Sequence, residues 1–108
     1  MRILMIMGLL WTACAATGAS AADISAGKAR AGSACAVCHG VLGLSTLPNA
    51  PSLAGQPEIY LAEQLKNYRS GKRTHEVMSV IAKPLSDQDI DNLAAWYASL
   101  QIEVREAR

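Results

Sequence analysis

Two cysteines and a histidine form the most informative cluster in this sequence. Two residues separate Cys35 from Cys38 in a C-x-x-C motif, and His39 follows directly. Three kinds of site use such a spacing: a redox disulfide, a zinc site and covalent haem attachment. Haem attachment needs the fewest further residues, because the two thiols add to the vinyl groups of one macrocycle and the adjacent imidazole reaches the iron. The motif therefore favours a covalent haem ligated by His39.

The two alternatives need features that this sequence hardly offers. A thioredoxin-like disulfide site belongs to a fold of alternating strands and helices, whereas β-branched alternation is almost absent here. A structural zinc ion takes four protein ligands, and only the distant His75 could join Cys35, Cys38 and His39. Both alternatives stay open at this point, and the sequence favours haem.

A haem held by one histidine needs a second axial ligand. Met78 is the only methionine after Met7, and His75, in a polar stretch, is the rival that we expect to face solvent. A Met/His pair raises the reduction potential relative to two imidazoles. It also leaves no coordination position open for oxygen or a substrate. We therefore expect electron transfer, with neither enzyme activity nor a small-molecule substrate.

The first 22 residues differ from the rest of the chain. Arg2 gives a positive start, residues 3–11 are almost wholly apolar, and small residues follow. This order is typical of a secretory signal peptide and predicts cleavage after Ala21 or Ala22, with export to the periplasm. The apolar core is shorter than the roughly 20 residues of a membrane-spanning helix. An uncleaved membrane anchor and a lipoprotein attached at Cys14 are the alternatives.

Residues 23–108 are long enough for one domain. Of ten Lys and Arg only Arg2 lies in the leader, so nine remain against nine Asp and Glu, and the formal charge is zero. This balance gives no indication of nucleic-acid binding. The domain keeps three tyrosines, one tryptophan, one methionine and no phenylalanine. Because so small a domain is marginally stable, a porphyrin would help to complete its core.

The first elements that must position these residues are a helix and a loop. A helix is predicted from Asp23 to about Cys35, and Gly27 within it suggests a close approach by another element. Residues 40–55 are punctuated by glycine and proline, which predicts a loop. Sixteen residues are long for a structureless connection in a small domain. We therefore expect this loop to wrap a ligand.

Two further helices carry clear start signals. One begins with Pro57 in its first turn and stops at Gly71, whereas the segment around Met78 has no strong helical pattern. The last begins at Ser86, with Asp89 placed to complete a capping box. It carries an apolar stripe that we interpret as core: Ile90, Leu93, Ala94, Tyr97 and Leu100.

These features together resemble class I cytochrome c, within it the small bacterial monohaem forms and the single repeats of tandem dihaem cytochromes. The likeness covers about residues 24–100. The resemblance implies an all-α cytochrome c fold, with three main helices and loops wrapped round one haem c, and single-electron transfer as its function. It rests on these matches: Cys35-Ala36-Val37-Cys38-His39-Gly40, Gly43, Pro48, Pro51-Ser52-Leu53-Ala54-Gly55-Gln56, Tyr60-Leu61, Gln64-Leu65, Gly71-Lys72-Arg73, Met78 and Leu85-Ser86-Asp87-Gln88-Asp89-Ile90.

The resemblance also implies residue roles. The carbonyl of Pro51 would accept a hydrogen bond from the ligating His39, a contact that orients the ring. Gly27 would meet an aromatic ring of the last helix: alignment with the family indicates Trp96, whereas the apolar stripe favours Tyr97, and both stay open. A second C-x-x-C-H is absent from the sequence, so one haem and one iron are expected.

The implied partners are redox proteins of a respiratory chain: a donor reductase or dehydrogenase and an acceptor oxidase or reductase. The protein would act as a monomer or weak dimer. Alternatives are a haem subunit of a larger dehydrogenase or reductase, and a haem-based sensor if Met78 does not bind. A basic group could steer an acidic partner or be an ordinary solvated face; its members are Lys66, Arg69, Lys72 and Arg73.

Overall fold

The computed structural model describes residues 13, 15, 16, 18 and 20–108. Most of the expected signal peptide, residues 1–22, lies outside the described residues, as does Cys14, so the leader stays a prediction. Within the described part, five helices and no strand are present, which confirms the all-α class. None of those helices is both long and apolar enough to cross a membrane. The helices are α1 (Ile24–Ala34), α2 (Ala36–His39), α3 (Glu58–Ser70), α4 (Met78–Ala82) and α5 (Asp87–Ser99).

The crossing of α1 and α5 depends on Gly27. A Cβ atom at Gly27 would overlap the backbone carbonyl of Asn92 and would stand 3.0 Å from Cβ of Trp96. Asn92 strengthens the crossing, since its Oδ1 accepts a hydrogen bond of 2.8 Å from the Asp23 amide. Of the two aromatic candidates, the residue beside Gly27 is therefore Trp96, which approaches it with its Cβ atom. Tyr97, the other candidate, points instead toward the loop that follows the haem-attachment motif.

Helix α3 begins and ends close to the residues that mark it in the sequence. Pro57 is the cap residue, so the helix proper starts at Glu58, and Gly71 ends it with a φ of +85° that favours glycine. Its inner face contributes the buried Leu61 to the core shared with α5. Arg69 near its end donates hydrogen bonds to the Leu85 carbonyl and, at 2.6 Å, to the Asp87 carboxylate.

Met78 begins a short helix that the sequence pattern does not predict. The Nδ1 atom of His75 accepts hydrogen bonds from the amides of Val77 and Met78, at 3.1 and 3.3 Å. The His75 amide in turn donates to Oγ of Ser79 at 3.0 Å. A side-chain acceptor for the first amides of a helix is usually Ser, Thr, Asp or Asn. Here the N-cap residue is Val77, which has no side-chain acceptor, and a histidine two residues earlier supplies one instead. The start of α4 therefore carries no familiar signal.

Helix α5 agrees with its prediction. The Ser86 hydroxyl accepts from the Asp89 amide and the Asp89 carboxylate accepts from the Ser86 amide, both at 3.0 Å, which completes the capping box. The bond from the Ser86 amide is also the main cause that lowers the pKa of the Asp89 carboxyl group. Four residues of the predicted stripe are buried, and Leu100, just beyond the helix, is half-buried; the four are Ile90, Leu93, Ala94 and Tyr97.

Candidate functional site

The C-x-x-C-H segment forms a compact turn at the end of α1. Cys35 both ends α1 and precedes α2, and its carbonyl accepts from the amides of Cys38 and His39, at 3.2 and 3.0 Å. This turn brings Cys35, Cys38 and His39 to the wall of one cavity. Both cysteines are free thiols and half-buried, while Val37 between them points outward, 86% exposed.

His39 is held by the loop that follows it. The imidazole is 7% exposed, and its Nδ1 lies 2.7 Å from the carbonyl oxygen of Pro51. Since a carbonyl oxygen can only accept, Nδ1 carries the proton in this contact. The ring is therefore the tautomer whose Nε2 has a free lone pair, which is the form that binds a metal.

Glycines allow the loop of residues 40–55 to fold tightly against the site. Gly43 has a φ of +70°, and its carbonyl accepts from the amides of Leu53 and Ala54, at 2.7 and 3.1 Å. These bonds draw the two ends of the loop together. Pro51 and Leu53 consequently reach the same cavity as the cysteines.

The cavity measures about 360 Å³ and is enclosed by α1 to α5 together with the loop. This volume lies within the roughly 300–1,000 Å³ of ordinary ligand pockets. Its walls are mostly apolar, as suits a large aromatic ligand with few polar groups. The aliphatic part of the lining consists of Leu61, Leu65, Ile81, Leu85, Leu93 and Ala94.

Met78 and His75, the two predicted candidates for a second iron ligand, lie in different surroundings. Met78, half-buried at the start of α4, lines the cavity together with His39. His75 is exposed, and its Nδ1 is occupied by the amides of Val77 and Met78. Of these two residues, Met78 is therefore the one that lines the cavity.

The two alternative sites for the cysteines find no support. A zinc site would need converging ligands, and in the part of the chain that the structure describes no group of three His, Cys, Asp or Glu side chains is arranged to hold a metal ion. A thioredoxin-like site would need strands, and the residues that the structure describes form helices and no strand. The cavity between the helices suits the third alternative, a porphyrin.

Most of the cavity lining was not singled out as site residues by the sequence, and three such residues carry polar groups of interest. Tyr97 belongs to the core stripe of α5, yet it lines the cavity, as do Tyr68 and Arg73. The Arg73 guanidinium lies 4.7 Å from the ring centroid of Tyr68 and donates to Gln64 Oε1 at 2.8 Å. Helical spacing places tyrosines on an inner face, but no sequence signal distinguishes a cavity wall from closed core.

Burial shifts the pKa values of two groups, the Cys35 thiol at the end of α1 and the Tyr97 hydroxyl on α5. It raises the pKa of the Cys35 thiol, while the neighbouring Tyr97 hydroxyl and the charge of Arg30 oppose this rise. Burial likewise raises the pKa of Tyr97, and Cys35 adds to the rise. Both groups are therefore uncharged at neutral pH, as an apolar ligand requires.

The basic group is less free for docking than the sequence suggests. Arg69 is bound to Leu85 and Asp87, and Arg73 to Gln64 and Tyr68. Lys66 and Lys72 are exposed. Any steering of an acidic partner would thus depend mainly on the two lysines.

Comparison with known proteins places the chain among haem proteins. The family model described as "Cytochrome c" matches residues 24–101. Cytochrome c4 of Pseudomonas aeruginosa is 40% identical over 104 residues, covering 96% of this chain and 51% of that protein. Cytochrome c-554(548) of Halomonas halodenitrificans is 40% identical over 82 residues, covering 73% of this chain and 98% of that protein.

Two further similarities concern the fold and a named role. The crystal structure of reduced cytochrome c4 from Pseudomonas stutzeri superposes with a TM-score of 0.69 and 39% identity, over 75% of this chain and 47% of that one. A thiosulfate dehydrogenase electron acceptor of Thiomonas intermedia is 39% identical over 104 residues, covering 93% of this chain and 44% of that protein. The chain spans about half the length of the cytochrome c4 relatives that it matches.

Proposed function

The chain belongs to the cytochrome c family, where it resembles one repeat of the cytochromes c4, and we propose that it carries single electrons on one covalently bound haem c. The observation that carries this proposal is the convergence of two thiols, one imidazole and one thioether on a single apolar cavity. No step of substrate chemistry is assigned to the protein.

Each of these side chains has a distinct part in the proposal. Cys35 and Cys38 would be joined to the macrocycle as thioethers, and His39 and Met78 would bind the iron. Pro51 holds the proton of His39 on Nδ1, so that Nε2 is the ligating atom. A haem held by these residues would supply the one-electron chemistry between the ferric and ferrous states of its iron.

The surrounding residues would tune that exchange. The aliphatic walls would exclude water and disfavour the ferric state, which carries one more positive charge than the ferrous state. Such a surrounding is one of the means by which proteins set a reduction potential. Met78 would occupy the sixth position and so prevent oxygen from binding. Because the elements that carry the ligands are packed into one core, the site needs little rearrangement when the electron arrives or leaves.

We also propose where the protein acts. The leader at residues 1–22 would direct export, so haem attachment and electron transfer would take place in the periplasm. Redox proteins, a donor and an acceptor of the respiratory chain, would be the partners, and the protein would be a monomer or weak dimer. Exposed apolar side chains such as Val37 border the cavity and suit short-lived contacts.

Mass spectrometry of the protein isolated from a periplasm that attaches haem tests this proposal. We expect a mature chain that begins after Ala21 or Ala22 and is heavier by one haem, retained on denaturation. Cys35→Ala or Cys38→Ala leaves one thioether, whereas the double variant should lose the haem. A folded wild-type chain without added haem would contradict the proposal.

A second candidate role is that of an electron-accepting component of a dehydrogenase. It is favoured by the relative named as a thiosulfate dehydrogenase electron acceptor. The haem chemistry is the same in both roles, and the difference lies in how long the protein stays bound to the enzyme. Copurification of a catalytic chain at stoichiometric ratio would support the component role; recovery of this chain alone would support the free carrier.

A further inference from the structure

Arg73 places a positive charge on the wall of the cavity. Among the described residues that line the cavity, it is the only Lys or Arg, and no Asp or Glu is among them. Its guanidinium does not lose its proton in proteins. A charge beside an apolar space is stabilised by an opposite charge nearby. The wall therefore calls for a negative group at this point.

No carboxylate of the described chain supplies that negative group. Arg69, four residues earlier, does meet a carboxylate, that of Asp87 at 2.6 Å. Arg73 has no such partner. The ion pairs among the described residues are Arg30–Asp89, Arg69–Asp87 and Arg105–Glu103. An anion for Arg73 would thus have to arrive with the ligand of the cavity.

The Arg73 side chain is held in place by two neighbours that also line the cavity. Its central guanidinium carbon lies 4.7 Å from the ring centroid of Tyr68, within the cation–π range. Its Nη1 donates to Oε1 of Gln64 at 2.8 Å. The Arg73 amide donates to the Asn67 carbonyl at 3.1 Å, which fixes the turn after α3. A guanidinium has five N–H donors, so the contact with Gln64 leaves donors for an anion.

Arg73 and the two cysteines belong to different parts of the cavity wall. Cys35 and Cys38 lie in the turn between α1 and α2, which pack on each other, whereas Arg73 follows α3, which packs on α4 and α5. A haem carries two propionate carboxylates on the half of the macrocycle away from its vinyl groups. Because the cysteines take up the vinyl half, the carboxylates are left for another part of the wall. Arg73 is the cation that this wall offers.

We infer that Arg73 is a binding residue for the cofactor, donating charge-assisted hydrogen bonds from its guanidinium to a propionate carboxylate. This inference rests on the proposed function. The planar guanidinium matches both oxygens of a carboxylate, which a lysine ammonium does not. The contact also neutralises an anion beside the macrocycle. A negative charge there favours the ferric state, so its neutralisation raises the reduction potential.

The size of the expected effect is limited by solvent, because Arg73 is exposed as a residue. Contacts between exposed charges change an equilibrium constant by roughly 1.5- to 5-fold. We expect the charge of Arg73 to change the reduction equilibrium by a similar factor. For a one-electron couple a tenfold change is 59 mV. Removal of the guanidinium should therefore lower the potential by about 10 to 40 mV.

The test compares the wild-type holoprotein with Arg73→Gln and, as a matched control, Lys72→Gln. Lys72 is the adjacent residue and is exposed, but it does not line the cavity. Both variants lose one positive charge, so a general charge effect is common to them. A redox titration should show the lowered potential in Arg73→Gln alone. Arg73→Lys keeps the charge and loses the planar fork, and its potential should lie between those of the wild type and Arg73→Gln.

Proton NMR of the ferrous holoprotein provides a direct readout of the contact. Nuclear Overhauser effects should connect the side-chain protons of Arg73 with the methylene protons of a haem propionate. Those propionate resonances should shift in Arg73→Gln and keep their positions in Lys72→Gln. An arginine that only braces Tyr68 and Gln64 would change the melting temperature and would show neither signal.

Three results would overturn the inference. One is an Arg73→Gln potential that equals or exceeds the wild-type value, or that matches Lys72→Gln. The second is the absence of any Overhauser contact between Arg73 and an assigned propionate. The third is a slower reaction of Arg73→Gln with an acidic redox partner at an unchanged potential, since the guanidinium would then serve docking. A failure of the proposed function itself appears earlier and separately, as a wild-type chain without haem.

Discussion

Nδ1 of His39 lies 2.7 Å from the carbonyl oxygen of Pro51, and this contact determines which ring nitrogen can serve a metal. The carbonyl accepts the Nδ1 proton, so Nε2 keeps its lone pair. The bond also increases the basicity of the ring as a ligand. Pro51 suits the role because its fixed φ limits the movement of the backbone around it.

Replacement of Pro51 by glycine should therefore shift the midpoint potential of the iron, although the backbone carbonyl at position 51 remains. The freer backbone weakens the bond to His39, the imidazole donates less charge, and the midpoint potential rises. The more flexible unfolded chain also lowers the free energy of unfolding by about 0.4–1 kcal/mol. Redox titration and urea denaturation measure the two effects. Pro48→Gly, in the same loop, should reproduce only the loss of stability; an equal potential shift in both variants would contradict the role of Pro51.

Gly27→Ala should disrupt the crossing of α1 and α5. Its methyl group would overlap the Asn92 carbonyl, and since both partners are helix backbone, the helices must separate. We expect a loss of at least about 1–3 kcal/mol in the free energy of unfolding. Gly32→Ala is the matched control, because nothing lies within 4 Å of a Cβ there; that change should stabilise α1 by up to about 1 kcal/mol. Similar urea midpoints for the two variants would argue against the close approach at Gly27.

His75→Ala should weaken the start of α4 while leaving Met78 as the ligand. The variant lacks the acceptor for the Val77 and Met78 amides, a loss of about 1 kcal/mol if it acts as an ordinary helix cap. His75→Asn supplies another acceptor and should retain most of that stability. The measurement is the urea concentration at which the ferric sulfur–iron absorption band disappears. Loss of this band from His75→Ala without denaturant would show that the cap does more than stabilise α4.

The start of α5 should make the protein sensitive to acid. The hydrogen bond from Arg69 is the main cause that lowers the pKa of Asp87, helped by the same guanidinium's charge. A carboxylate with a lowered folded pKa stabilises the protein above its unfolded pKa, near 4, and that contribution is lost as pH falls through the folded value. The free energy of unfolding should therefore fall below about pH 4.

Urea midpoints across that acidic range provide the check. Asp87→Asn should show a shallower fall with decreasing pH than the wild type, since it has no carboxylate to protonate. Asp91→Asn is the control, because Asp91 is exposed on the same helix and should follow the wild type. Parallel pH curves for Asp87→Asn and the wild type would contradict the contribution of the Arg69 contact.

Local patterns in the sequence predicted most of the scaffold. The Ser86–Asp89 box, the stop at Gly71 and the apolar stripe through Leu93 each depend on nearby residues, and the structure agrees with them. Helix α4 was missed because its N-cap, Val77, is not a capping residue type and the acceptor comes from His75, two residues earlier. The Arg69–Asp87 contact and the packing of the Tyr97 ring against Gly43 join segments that are far apart in the chain, and residue spacing does not predict such long-range contacts.

The measurement that tests the account most directly is the absorption spectrum of the ferric holoprotein, wild type against Met78→Ala. A thioether on iron produces a weak long-wavelength ferric band, which the wild type should show. Met78→Ala should lose that band and keep its covalent haem, because Cys35 and Cys38 are untouched. A wild-type haem spectrum without the band, or a Met78→Ala spectrum that retains it, would contradict ligation by Met78 and with it the closed, electron-carrying site.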